Sequence, residues 1–452
     1  MSDLIQDSLS EADDTDVVVM GHDVLGRTGK VFRDLFGDSQ AIVIADENTW
    51  GVAGEQVTSS LRSAGVSLAE THVFPSHPQL YAGYENVEVV RQLLESSGAV
   101  ACSIGSGTLN DLVKRASDEL GRRYMNVCTA ASMDGYAAYG ASITVDGFKK
   151  TLTCRAPQAL IADLPTMAAA PRICTASGLG DIIEKVPAGA DWIVADALGV
   201  EPIDAHVWQM AQGALPRAIS DPQGLVDGRP DAFVGLVEGL VMSGLAMQKY
   251  RISSRPASGM GHLFSHVWEM EHLGMDREPP LSHGLKVGLG AIASLALWEQ
   301  VVALDLSSLD IDAAVASWRT AAETEAMVRA NFTGKMVEPA VKQTLGKYLS
   351  PDELRARLEL AQQQWPTIVE KARAQILPAA RVEEILRTVG AIYHPSQVGL
   401  TEDRFRQTYF RCRMIRTRYT LADLLFEAGL LDTLVDKLFQ HDGFWGQRPW
   451  TH

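Results

Sequence analysis

Short β-rich runs alternate with amphipathic stretches through the first third of the chain, and no other feature restricts the fold as much. The runs are VVVM from Val17, AIVIA from Ala41, AVACSI from Ala99, YMNVC from Tyr124 and ALIADLP from Ala159. Between them lie VAGEQVTSSLRSAG, ENVEVVRQLLESSG and LNDLVKRASDELG, each with apolar residues near helical spacing and a terminal glycine suited to a C-cap. Strand and helix in this order predict an α/β domain on a parallel sheet. The stretch YGASITVDGFKKTLTCRAP interrupts the series, and its Asp146-Gly147 dipeptide predicts an inserted β-hairpin.

From about Ala176 onward the pattern turns helical with no convincing strand, as in PDAFVGLVEGLVMSGLAMQKY, IDAAVASWRTAAETEAMVRANF and SPDELRARLELAQQQW. Ser350, Pro351 and Glu353 have the spacing of a capping box with proline at the first helical position, which predicts a helix start there. The expected division is an acidic, solvated tail over 1–16, an α/β domain over 17–175 and an all-helical domain over 176–452.

A chain of 452 residues with 46% hydrophobic content is long enough for two such cores. Its formal charge of −16 opposes binding to a phosphate backbone or an anionic membrane, so a small-molecule function is favoured. The five cysteines, Cys102, Cys128, Cys154, Cys174 and Cys412, are odd in number and show no CxxC spacing, which fits a reducing cytoplasm. The opening MSDLIQDSLSEADDTD lacks the basic and apolar blocks of a secretion signal. The longest clean apolar window, VGLGAIASLALW from Val287 to Trp298, is too short to span a bilayer and reads as a buried helix.

Three strand-end loops carry the residue types of a dinucleotide site. In SIGSGTLNDLVK a strand ends at Ile104, Gly105-Ser106-Gly107 turns the chain, and a helix is expected from about Thr108. Glycines admit a diphosphate close to the backbone, and the free amides of a helix start favour its charge. Asp46 follows the second strand, where a carboxylate accepts from a ribose hydroxyl. The third loop, VCTAASMDGYAA, offers Thr129, Ala130, Ala131 and Ser132, with Asp134 just beyond. Loops at the carboxyl ends of neighbouring strands converge on one crevice. GSG alone lacks the full GxGxxG fingerprint and equally fits an ordinary turn.

In GHLFSHVWEM, His262 and His266 lie four residues apart, and a third histidine, His283, opens HGLKVGLG after Ser282, an expected N-cap. On a helix the first two share a face, about 5–6 Å apart at Cβ. Spacing alone leaves two readings open: a metal site, or satisfied core and surface histidines. Asp181 in TASGLGDIIEKVPAGADW is a further candidate ligand, or a cap of its own helix.

Taken in order, DENT, GSGTLNDLVK, TAASMDGYA, GLGDIIEK, SSRPASGMGHLFSH and HGLKVGLG resemble the glycerol-1-phosphate dehydrogenase family. That group also holds glycerol dehydrogenase, iron-containing alcohol dehydrogenases and dehydroquinate synthase. The resemblance runs from about Asp46 to Gly290, and RFRQTYFRCRMIRTRYTLADLL looks like the family's bacterial branch. It implies a dehydroquinate synthase-like nucleotide-binding α/β domain followed by an all-α domain. It places a divalent metal on Asp181, His262 and His283, and the cofactor on Gly105, Ser106, Gly107, Thr108, Leu109 and on Thr129 to Ser132. His266 and Asp134 fall on substrate-contacting, catalytic positions.

What the resemblance implies is an NAD(P)-linked dehydrogenase interconverting sn-glycerol-1-phosphate and dihydroxyacetone phosphate, with a homodimer as its assembly. NAD is favoured because Asp46 repels a 2′-phosphate. Zinc is the first choice of metal, with iron(II) or nickel open. Arg255, with Ser258 beside it, is the expected phosphate contact. Met133 and Ala138 depart from the family, which often has histidine and serine there. The alternatives are a glycerol or other polyol dehydrogenase and a non-catalytic nucleotide-binding regulatory protein. The arginine run from Arg404 to Arg418 reads as structural, held by ion pairs, rather than as a nucleic-acid surface.

Overall fold

The computed structural model describes residues 3–145 and 148–450. Strands β1 (Val17–Gly21), β2 (Ala41–Asp46), β3 (His72–Phe74), β4 (Val100–Ile104), β5 (Tyr124–Cys128), β6 (Ala141–Val145), β7 (Phe148–Leu152) and β8 (Ala159–Asp163) all lie in the first part of the chain. Six of them form one sheet in the order β1-β8-β5-β4-β2-β3, and every pair in it is parallel. The remaining two, β6 and β7, pair antiparallel as the inserted hairpin. The predicted turn at Asp146-Gly147 itself lies outside the described residues. Only β3 was not expected: three residues opening on His72 carry too little pattern to stand out, and pairing with β2 makes them a strand.

Parallel strands covered on both faces need apolar side chains in both directions. In β2 the alternation separates two cores. Ala41, Val43 and Ala45 pack with Phe32, Val57 and Leu61 on one face, while Ile42 and Ile44 pack with Val87, Val90 and Leu112 on the other. Glycine ends the covering helices as expected: Gly98, at φ 68°, is the left-handed cap of the Tyr84–Ser97 helix.

Two compact units make up the chain. The first comprises Met1–Ile182, His206–Ala257 and Thr388–Gly390; the second comprises Ile183–Ala205, Ser258–Arg387 and Ala391–His452. This differs from a cut at residue 175, because the helix Pro230–Lys249 packs with the α/β unit: its Gly244 lies against the backbone of Ala137, leaving no room for a Cβ. That helix is long and apolar enough to cross a membrane by length and composition, with 78% of its 18-residue window buried inside the protein.

The first sixteen residues are not the solvated tail expected from their charge. Asp3–Leu9 is a helix, and Ile5 is 0% exposed. Asp14 is buried, accepts from the amide of Ala156 at 3.1 Å and pairs with Arg251 at 3.0 Å, while its own amide donates to Gln248 at 3.1 Å. The acidic run is therefore consumed by partners far along the chain.

In the second unit all described elements are helical. Ser350 and Glu353 form the expected capping box, and the helix it starts runs over Pro351–Gln375. The expected single helix from Ile311 is two, Ile311–Ala316 and Ala321–Asn331, because Thr320 caps the second through a box with Glu323. His283–Val301 is the buried helix anticipated from VGLGAIASLALW.

Candidate functional site

In the first unit, the connection from β2 leads outward to the edge strand β3, whereas that from β4 leads the other way, to β5. The carboxyl ends of β2 and β4 thus flank a topological switch point, where open α/β sheets form their ligand crevice. Asp46 closes β2, and Gly105 follows β4. Asp46 also caps the short helix after it, accepting from the Thr49 amide at 2.8 Å. The helix after β4 begins at Gly107, one residue earlier than expected. Its N-cap residue, Ser106, makes no cap bond; the hydroxyl instead bonds Ser132, tying the β4 loop to the β5 loop. The first-turn amides are thereby left without the Ser106 oxygen, as anion binding requires. A Cβ on Gly105 would sit 2.6 Å from Leu109, so the turn closes only with glycine.

Met133 packs over this turn, 3.1 Å from where a Gly107 Cβ would stand, and its sulfur lies 3.0 Å from the Gly135 amide. The β5 loop is held by Tyr136, whose hydroxyl bonds the Ala130 carbonyl and lies 2.9 Å from the Ser132 amide. Beyond it, Asp134 accepts from the Ser243 hydroxyl at 2.8 Å, and its amide donates to Asp181 Oδ2 at 3.0 Å. Asp181 is buried near the end of the Arg172–Ile183 helix, so it does not cap that helix's start. Arg255 is fully buried in the turn Arg255–Ala257.

In the second unit, the helices Met260–Met270 and His283–Val301 cross at Gly261 and Gly290. A Cβ on Gly290 would lie 2.2 Å from the Gly261 carbonyl oxygen, so the main chains touch. His262 follows Gly261 directly and His283 lies two turns before Gly290, so this contact draws the imidazoles together. Ring centroids are 5.4 Å apart for His262 and His283, 6.1 Å for His262 and His266, and 5.8 Å for His266 and His283. Distance alone does not separate the three.

Hydrogen bonds do. His262 Nδ1 lies 2.8 Å from Glu184 Oε2, and His283 Nδ1 lies 2.8 Å from Glu269 Oε1. A carboxylate on Nδ1 fixes the proton there and leaves the Nε2 lone pair for an electrophile. His266 Nδ1 is buried without a hydrogen-bond partner among the described residues. Burial first, and the nearby Arg416 charge second, push the His266 pKa well below its ordinary value, so the ring is neutral rather than poised near 6.5. His266, Glu269 and His283 also bring one potential ligand atom each within 4.8 Å of one another. In that group Glu269 and His283 are already bonded to each other through Oε1 and Nδ1.

Ser282 occupies the N-cap position without a side-chain cap bond. Ser258 accepts from Arg418. The anchoring carboxylates Glu184 and Glu269 were not singled out from sequence, although Glu184 stands inside GLGDIIEK.

Residues 19–171 match the family model for iron-containing alcohol dehydrogenases. A glycerol-1-phosphate dehydrogenase [NAD(P)+] from Methanosarcina barkeri is 34% identical over 289 residues, covering 63% of this chain and 78% of that protein. The chain belongs to the glycerol-1-phosphate dehydrogenase family. A relative of the same name from Bacillus velezensis is 33% identical over 55% of this chain, and one from Halalkalibacterium halodurans is 34% identical over 57%. The chain spans 62% and 64% of the length of those two relatives. Among solved structures, a probable glycerol dehydrogenase from Sinorhizobium meliloti has a TM-score of 0.60 at 14% identity, covering 94% of this chain and 98% of that one. Maleylacetate reductase from Agrobacterium tumefaciens scores 0.58 at 15% identity, covering 96% and 98%. These two share the fold of the glycerol-1-phosphate dehydrogenase family: a parallel α/β domain with a helix-rich remainder.

Proposed function

We propose that the chain is a metal-dependent, NAD(P)-linked dehydrogenase that interconverts sn-glycerol-1-phosphate and dihydroxyacetone phosphate. The observation that carries this is the pair of imidazoles, each locked through Nδ1 by a buried carboxylate. Asp181 completes the ligand set with His262 and His283. Along the chain it stands three residues before Glu184, the carboxylate on His262 Nδ1. The donors, two imidazoles and one carboxylate, suit zinc first and iron(II) or nickel next. A divalent ion held by these three residues would supply Lewis acidity to the oxygen of the reacting carbon.

The remaining work belongs to side chains and backbone. Glu184 and Glu269 keep both imidazoles in the ligating tautomer. Gly105 to Leu109 and Thr129 to Ser132 receive the dinucleotide diphosphate, and Asp46 its ribose, favouring NAD over NADP. Asp134, steadied by Ser243, orients the substrate. His266, neutral and beside the ligating histidines, hydrogen-bonds the substrate hydroxyl and orients it.

The activity for which the relatives are named supports the choice of substrate. The five free thiols support a reducing, cytoplasmic location. A homodimer is part of the proposal on resemblance alone. One assay tests it: NADH oxidation with dihydroxyacetone phosphate, with dihydroxyacetone and with no substrate, in metal-stripped and in zinc-, iron- or nickel-restored protein. Turnover of the phosphorylated ketone only after metal return is the expected result. Undiminished activity in stripped protein would overturn the mechanism, and activity on dihydroxyacetone alone would make the chain a polyol dehydrogenase.

A further inference from the structure

Lys114 is a fully buried cation that the function proposed above does not use. It lies on the helix Gly107–Glu119, two turns beyond the glycine turn after β4. Its Nζ donates to the Gly135 carbonyl at 3.0 Å, to the Gly140 carbonyl at 3.0 Å and to Asp111 Oδ1 at 3.2 Å, three acceptors for its three donors. The other Asp111 oxygen accepts the Ser142 amide at 3.0 Å. Both ends of the segment 135–140 are therefore held to one helix.

From the same helix, the Asn110 side-chain amide reaches the Gly135 and Tyr136 carbonyls at 3.4 Å each, while Asn110 Oδ1 accepts from Tyr124 at 2.8 Å. The helix Pro230–Lys249 backs this segment, with Gly244 against Ala137 and Ser243 bonded to Asp134. Asp134 stands one residue before Gly135, and its own amide is tied to Asp181. Removing an ammonium from water is costly, and an apolar side chain of similar length would fill the same volume without that cost. What the apolar side chain lacks is a donor for each carbonyl.

We infer that Lys114 is a positioning residue: by gripping Gly135 and Gly140 it sets the place of Asp134, and through Asp134 the orientation of the substrate. This rests on the substrate role proposed above for Asp134. The stretch assigned to the diphosphate, Thr129 to Ser132, is held separately, by the Tyr136 hydroxyl and by the bond between Ser106 and Ser132. Lys114 thus bears on turnover rather than on cofactor affinity.

The test compares metal-loaded wild type with Lys114→Met. The expected result is a fall of about 100-fold in kcat for dihydroxyacetone phosphate, the scale on which a displaced orienting group acts, with NADH affinity within about twofold of wild type. Hydrogen exchange followed by mass spectrometry gives a readout independent of turnover: amides over 133–138 exchange faster in the variant, and those over 104–109 are unchanged. A side chain serving stability alone would lower the urea midpoint and move neither. Wild-type kcat, a loss of NADH affinity as large as the loss of kcat, or unchanged exchange over 133–138 would each overturn the inference. Should Lys114→Met fail to fold, Asn110→Ala removes the longer bonds to the same segment and is expected to lower kcat about 10-fold, the scale of one neutral hydrogen bond, with NADH affinity intact. Wild-type kcat in that variant would equally overturn the inference. Faster exchange in Lys114→Met, combined with a wild type that reduces neither ketone with any metal, would refute the proposed function and leave the anchoring of this segment standing.

Discussion

Glu184 holds His262 at two points: Oε2 lies 2.8 Å from the imidazole Nδ1, and Oε1 accepts the backbone amide of the same residue at 3.3 Å. The carboxylate also takes the Gly259 amide at 3.1 Å. One buried side chain thus fixes both the start of the Met260–Met270 helix and the tautomer of its first histidine. Glu184→Gln keeps the volume but not the charge. Metal affinity is expected to fall about 10- to 100-fold, as for other groups behind a ligating histidine. Competition with a chelator of known affinity measures it; wild-type affinity would mean that the carboxylate serves folding alone.

His266→Ala is expected to retain its metal and lose turnover. Misplacing the reacting hydroxyl costs about 100-fold, so kcat should drop by that order while metal content stays stoichiometric. If the variant is purified without metal, His262 and His266 form the ligating pair and His283 does not belong to the set.

The glycine crossing is the most exacting contact in the histidine cluster. Gly290→Ala puts a methyl group 2.2 Å from the Gly261 carbonyl, and because the obstacle is main chain the helices must part. The expected destabilisation is about 1–3 kcal/mol, toward the upper end, with reduced metal content. Urea midpoints and metal analysis on the same preparation check it, and an unchanged variant would show that the crossing opens freely.

Stability should also depend on pH through Glu427. This side chain is 5% exposed, accepts from Tyr419 at 2.6 Å and stands 3.6 Å from Arg357. Burial raises its pKa to about 7, above the ordinary 4.5. A raised carboxyl pKa stabilises the folded form below pH 4.5, and that contribution is lost as pH rises through 7. The loss is roughly 3 kcal/mol between those limits. Glu427→Gln should flatten the unfolding free energy across this window; a slope equal to wild type would place the titration elsewhere.

Much of the architecture was legible because its cause is local. Alternation announced β1, β2, β4, β5 and β8, and Asp46 and Gly105 could be placed at strand ends before any sheet order was known. Contacts between distant segments were not legible. Glu184 and His262 are 78 residues apart, and nothing in the spacing of GHLFSH marks their bond. The first sixteen residues misled for the same reason, since the partners of Asp14, Gln248 and Arg251, stand more than 230 positions away. Arg255 is fully buried, which its charge gave no sign of.

The contact between Gly261 and Gly290 also separates two properties of the site. Because main chain meets main chain there, the approach of His262 to His283 is set by the backbone rather than by the bulk of a side chain. Substitutions at Met133 or Ala138 can therefore reshape the β5 loop and leave the histidine pair where it is.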